Sequence, residues 1–217
     1  SNIVQTEKNY NLGYQVRNEI SAGVEALLFN RSIHLDANVF HVLNSNLVAQ
    51  PLNTYPDFLG GVFPYENYGE ERASGVEIGA SWLKPVSDKL SFEIGANVIY
   101  LNTEVVKKDE RWEYDYLNRT GRPTNAIFGL EAIGLFQDDA DIAAHQQQSF
   151  GAVVPGDIKY KDQNGDGIID ANDEIQIGQS DPKFYGGFHL KVKYQNLTLF
   201  ALATARSGSE RFFDNEY

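Results

Sequence analysis

The stretch Leu90-Ser91-Phe92-Glu93-Ile94-Gly95-Ala96-Asn97-Val98-Ile99-Tyr100 places an apolar side chain at every even position and, Ile99 apart, a polar residue or glycine at every odd one. A period of two is the signature of a β-strand with one apolar and one polar face. The same alternation runs outward along the chain. Val76, Ile78, Ala80 and Trp82 alternate with Glu77, Gly79 and Ser81, and Ile33, Leu35, Ala37 and Val39 alternate with His34, Asp36 and Asn38. Phe188, Leu190, Val192 and Tyr194 alternate with His189, Lys191 and Lys193, and Leu197, Leu199, Ala201, Ala203 and Ala205 continue the pattern. With a further segment near residues 14 to 28, about six long strands are predicted.

The connections sort into two kinds. Asn30-Arg31, Pro85 to Lys89, and Gln195-Asn196 read as tight turns that close three hairpins, whereas residues 44–72 and 106–183 form connections far longer than the roughly 4 to 6 residues usual in compact domains. Long strands joined alternately by short turns and long loops are the pattern of an outer-membrane barrel. Aromatics near strand ends, Trp82, Tyr100, Phe184, Tyr185 and Tyr194, fit the same picture. The expected fold is therefore all-β: an antiparallel transmembrane β-barrel segment, with one face toward lipid and long extracellular loops. A soluble β-sandwich alternates in the same way, because one face of each sheet packs on a core, and it stands as the alternative.

Composition narrows the partners. The 217 residues carry 18 Lys+Arg and 30 Asp+Glu, a net charge of −12, which argues against nucleic acid or an anionic membrane surface and favours cations and neutral ligands. At 42% hydrophobic the chain is too apolar to be disordered. There is no Cys, so disulfides, thiolate zinc sites and cysteine nucleophiles are excluded together. No apolar run approaches the roughly 20 residues of a spanning helix, which leaves spanning strands open. Met is absent too, and the chain is expected to be a piece of a longer polypeptide.

One motif carries specific chemistry. Asp162-Gln163-Asn164-Gly165-Asp166-Gly167-Ile168-Ile169-Asp170-Ala171-Asn172-Asp173 fits a calcium-binding turn, with oxygen side chains at loop positions 1, 3, 5, 9 and 12 and Gly167 at the sharp bend. The expected ligands of a structural calcium are Asp162, Asn164, Asp166, the carbonyl of Ile168, Asp170 and Asp173. Asp stands at the last position, where a bidentate Glu is usual. The flanks, Gly156 to Tyr160 and Ile175 to Gly178, are short and β-like, so a paired EF-hand sensor is excluded and a lone loop-fixing cation is expected. The alternative is an Asn/Asp/Gly-rich turn without metal.

Catalysis finds little support. His34, His41, His145 and His189 are scattered, and Asp138, Asp139 and Asp141 read as the acidic start of a short helix rather than as a paired-carboxylate site. Gly60-Gly61, Gly186-Gly187 and Ser207-Gly208 lack phosphate-loop spacing. Aromatics in the long connections are candidates for substrate contact: Tyr55, Phe58, Phe63, Tyr65 and Tyr68 in the first, Trp112, Tyr114 and Tyr116 in the second. Flat rings suit sugar stacking, though packing of the loops themselves accounts for such residues equally.

The block Pro155-Gly156-Asp157-Ile158-Lys159-Tyr160-Lys161 leading into the calcium-type turn, then Ile177-Gly178, then Asp181-Pro182-Lys183-Phe184 and a glycine-led strand, resembles the SusC/RagA family of TonB-dependent outer-membrane transporters. Gly75-Val76-Glu77-Ile78, the strand from Leu90 to Asn102, Ile127-Phe128-Gly129, and Gly134-Leu135-Phe136-Gln137-Asp138 with Ile142 look like the same family in the same order. Ala73-Ser74 departs from it, where the family tends to carry Asn-Lys. The resemblance covers most of residues 67 to 206 and, more loosely, 12 to 43. It implies a plugged, many-stranded barrel importing oligosaccharides or peptides, a SusD-like lipoprotein partner, and TonB acting through a part of the protein outside this chain. The expected function is thus that of a fragment of an outer-membrane importer. The alternative is a secreted, soluble carbohydrate-binding sandwich stiffened by calcium, with a dockerin-like adhesion module a more distant third.

Overall fold

The computed structural model describes residues 9–51, 53 and 63–211. In chain order its strands are β1 (Val16–Leu28), β2 (Ile33–Ala49), β3 (Glu66–Ser87), β4 (Leu90–Lys107), β5 (Ala126–Leu130), β6 (Ala132–Leu135), β7 (Gln147–Gln148), β8 (Ile158–Tyr160), β9 (Ile168–Ile169), β10 (Glu174–Gln179), β11 (Phe184–Tyr194) and β12 (Leu197–Ser207), with one short helix, α1 (Asp139–Ala144), between β6 and β7. Six of them form an antiparallel meander in the order β1-β2-β3-β4-β11-β12. The sheet is open, with β1 and β12 as its edges, and does not close into a barrel among the described residues.

Register turns the sequence periodicity into two surfaces. Across the sheet, Val24, Ala37, Ile78, Val98, Gly186 and Ala205 form one row, and the next row along the strands is Glu25, Asp36, Gly79, Asn97, Gly187 and Thr204. Successive residues point to opposite faces, so one face is an apolar field and the other carries most of the charge. Nothing among the described residues covers the apolar face: Ile78 is 55% exposed, Val39 51% and Val98 49%. The strands are held here by their backbone ladders and by side-chain contacts within each face, with no second layer on the apolar side.

The polar face is lined differently. Asp36, His189 and Asn97 each lie directly across the ladder from a glycine, Gly79, Gly95 and Gly187 respectively, and each occupies the space a Cβ there would need. The side chains therefore lie along the wall. Glu93 bridges His189 at 3.5 Å and Lys191 at 3.4 Å, and Glu25 meets His34 at 2.9 Å.

The three hairpin turns, at residues 29–32, 88–89 and 195–196, share one end of the sheet. At the other end β2 and β3 run further than expected. The connection predicted over 44–72 shrinks to residues 50–65, because β2 continues to Ala49 and β3 begins at Glu66. Register shifts between Asn44 and Leu47 and between Leu47 and Val48, with Asn46 at φ 58°, break the alternation there, so the sequence pattern stops before the strand does. The connection predicted over 106–183 likewise starts after Lys107 and holds three two-stranded sheets, β5 with β10, β6 with β8 and β7 with β9.

Buried apolar residues gather at this far end: Val42, Phe63, Val105, Leu117, Phe136 and Ile169. Beyond Leu101 the free edge of β4 is taken by the chain before β5, since Val105 N–H donates to Arg122 at 2.9 Å and Gly121 N–H donates to Val105 at 2.8 Å. Lys159 bridges Asp141 at 2.6 Å, and His145 packs edge-on to Phe136, tying α1 to β8 and β6. As the acidic run foretold, Asp138 caps α1 by accepting from the Asp141 N–H.

Candidate metal loop and polar lining

The turn from Asp162 to Asp173 is built by carboxylates accepting backbone amides. Asp162 Oδ1 accepts from Gly165 N–H at 2.6 Å and Oδ2 from Gly167 N–H at 2.9 Å, which both glycines permit by adopting positive φ, 76° and 87°. Asn164 accepts from Asp166 N–H, Asp166 from Ile168 N–H and Asp170 from Asn172 N–H. Asp173 closes the loop from the inside. Fully buried, it accepts from Gln163 and Asn164 through Oδ1 and from Asp170 through Oδ2.

Two features of this arrangement bear on the metal expectation. The donor set is all oxygen, as a hard cation requires, and each carboxylate keeps lone pairs beyond those spent on amides. Convergence is another matter: among the described residues no three His, Cys, Asp or Glu side chains gather as metal ligands. The six predicted ligands share one tight turn, and the five Asp and Asn side chains among them accept from its backbone.

The candidate aromatics fall into distinct settings. Tyr114 and Tyr116 stack with centroids 5.4 Å apart, and the Tyr116 hydroxyl donates to the carbonyl of Asn172 at 2.7 Å, so this pair braces the turn. Burial, with the negative charge of Asp173 and then of Asp162 and Asp166 nearby, pushes the Tyr116 hydroxyl above its usual pKa. The Tyr68 ring carries the Lys107 ammonium 4.2 Å from its centroid. Tyr65 and Trp112 are exposed, and Phe63 is buried. Tyr55 and Phe58 lie outside the described residues.

Glu110, which no sequence pattern singled out, organises the bend around Arg119. Its carboxylate accepts from Arg119 N–H at 2.8 Å, from the N–H and hydroxyl of Thr120, and from the Trp112 indole. Burial alone would raise its pKa, but these hydrogen bonds together hold it below the usual carboxylate value. Among the described residues none of the four histidines joins a triad: His34 meets Glu25, His41 meets Ser74, His145 meets the Tyr160 carbonyl and His189 meets Glu93.

No family model matches the chain. Among curated proteins it is similar to TonB-dependent receptor P26 of Formosa agariphila, 22% identical over 216 residues, which covers 93% of this chain and 21% of the receptor. TonB-dependent receptor P3 of the same organism is 23% identical over 215 residues with the same coverage. The chain thus spans about a fifth of the length of these relatives. Among solved structures it shares the fold of the RagAB peptide importer in its closed-closed state, with a TM-score of 0.69 at 18% identity, covering 95% of this chain and 23% of that one. A second structure of the RagAB peptide transporter gives the same TM-score at 16% identity. The proteins named here are described as receptors and as a peptide importer. At low identity but along most of its length, the chain is similar in sequence to TonB-dependent receptors and in fold to the RagAB importer.

Proposed function

We propose that this chain forms part of the wall of an outer-membrane importer for peptides or oligosaccharides, its apolar face in lipid and its polar face along the passage. The observation that carries this reading is the uncovered apolar field on one side of a six-stranded sheet. A water-soluble protein rarely leaves so continuous an apolar surface bare. Its height also suits a membrane. From Leu90 to Tyr100 the strand rises about 34 Å, which at a tilt of roughly 40° gives about 26 Å, near the apolar band of roughly 25 Å on barrels of this kind. In this reading the short turns face the periplasm and the 108–183 region faces outward, beneath a SusD-like lipoprotein, while TonB acts on a part of the protein beyond this chain.

The outward region includes a calcium site in the same proposal. Asp162, Asn164, Asp166, Asp170 and the Ile168 carbonyl would turn toward the cation, with Asp173 holding the loop closed behind them. What supports it is the all-oxygen donor set on a turn already bent at Gly165 and Gly167. Terbium, which Tyr116 stands close enough to sensitise, would report occupancy as luminescence that calcium competes away and Asp162→Ala abolishes.

The whole proposal is tested in the native source. The parent polypeptide is expected in the detergent-extracted outer membrane, and its deletion is expected to abolish uptake of either labelled oligopeptides or labelled oligosaccharides, which assigns the cargo. A soluble parent would overturn the importer reading and point to a second sheet covering the apolar face.

A further inference from the structure

At the outward end of the sheet, a cavity of about 260 Å³ opens between the last residues of β2 and β4, the first residues of β3 and the segment just before β5. Lys107, Lys108, Arg119, Tyr68 and Thr124 line it, and Glu71 is the one acidic residue among the described residues that do so. Register places two of its lining residues, Glu71 and Val105, on the polar side, while Tyr68 and Lys107 lie beyond the register shift between Glu70 and Glu71, so the cavity sits where the strict two-face alternation ends. Asn44, Glu71 and Val105 form a cross-strand row, two residues along from Val42, Ala73 and Thr103 and in phase with Asn38, Glu77 and Ile99.

The lining carries three cations and one carboxylate in a chain whose net charge is −12, with Glu70 across the ladder from Lys107 outside it. Among the described residues none of the three makes an ion pair. Lys107 and Arg119 rest on aromatic faces instead, Tyr68 at 4.2 Å and Phe128 at 4.4 Å. A cation held over a ring is oriented without being neutralised, so its hydrogen-bond donors stay available. The Glu110 carboxylate fixes the backbone of Arg119 and Thr120 without reaching the guanidinium. The Lys107 ammonium also covers the Tyr68 ring, which takes that face away from a stacking sugar.

We propose that this cavity binds a carboxylate group of the cargo, resting on the importer reading above: the C-terminal carboxylate of a short peptide or the carboxylate of a uronic-acid sugar. Arg119 presents a planar fork suited to two carboxylate oxygens, and Lys107 and Lys108 add point charges. The volume admits one terminal residue or one sugar ring, so recognition is of an end or a single unit and not of a chain.

The test uses the full parent protein in detergent, with calorimetric binding of free-acid tetra-alanine, its C-terminal amide, and trigalacturonate. The free-acid peptide or trigalacturonate is expected to bind, to weaken with added salt, and to lose at least about tenfold in affinity in Lys107→Gln/Arg119→Gln, while the amide binds weakly to both proteins. Whichever acid binds names the source of the carboxylate. If the double variant does not reach the membrane, Lys107→Gln and Lys108→Gln singly take its place, with a several-fold loss expected in each. Equal binding of free acid and amide, with no effect of the substitutions, would overturn the proposal even in a working importer. Cation-dependent binding in a parent whose deletion leaves uptake intact would keep the carboxylate site and remove the importer reading instead.

Discussion

Asp173 shows how one residue can carry a structural role alongside the one its sequence position suggests. Its place at the end of a calcium-type turn marks it as a metal ligand, yet its two oxygens accept three backbone amides inside the loop. Replacing it with Ala leaves those N–H groups buried without partners, at about 1–3 kcal/mol. Asp173→Ala is accordingly expected to speed hydrogen exchange at Gln163, Asn164 and Asp170, and Asp173→Asn, which keeps one acceptor oxygen, to slow it again at only part of the set. Unchanged exchange in Asp173→Ala would mean that another group closes the loop. The cations of the carboxylate cavity belong to the same scale and were illegible in sequence for a different reason. Lys107 and Arg119 are brought together only by the pairing of Val105 with Gly121 and Arg122, and no periodicity announces a contact of that kind.

Among elements, the strands of the main sheet were readable wherever their alternation was unbroken, and unreadable where a bulge shifted it, as at Asn46 in β2. The segment between β4 and β11 was readable only in its caps and its turn, Asp138 and residues 162–173, because elements as short as β7 and β9 hold too few residues to display a period. What fastens that segment is partly charge. The hydrogen bond from Lys159 lowers the pKa of Asp141, and the hydrogen bond from Gln163, followed by that from Lys161, lowers that of Glu131. A depressed carboxylate pKa stabilises the fold above the unfolded value and ceases to do so as pH falls through the folded one. Limited proteolysis at pH 3, below the ordinary carboxylate range of about 4, is therefore expected to cut between residues 108 and 183 faster than at pH 7, with β1 to β4 still protected. Equal cutting at both pH values would show that these ion pairs are incidental. The β11–β12 hairpin offers a second check. Gln195 sits at φ 53°, so Gln195→Gly should be neutral or stabilising by up to about 1 kcal/mol in a denaturant melt of the parent, and a clear loss would mean that the turn uses the glutamine side chain.

For the molecule as a whole, the two faces make opposite demands. Ile78→Arg, in the middle of the apolar field, is expected to destabilise the membrane-inserted parent by about 2–4 kcal/mol in a folding titration from lipid vesicles, whereas Ser81→Arg on the other face should cost far less. Similar losses for both would contradict a lipid-facing assignment. Which residues alternate was legible from sequence; that nothing in the described chain covers the apolar side required the structure, since a sandwich strand alternates identically. On the importer reading proposed above, the glycines opposite Asp36, His189 and Asn97 have a consequence of their own for the passage. Side chains laid down over missing Cβ atoms give the wall low relief, much as recessed rivets leave a pipe smooth. Gly95→Leu would lift His189 off the wall and raise an obstruction in the bore, so transit of the bulkiest cargo should slow first while the smallest passes as before.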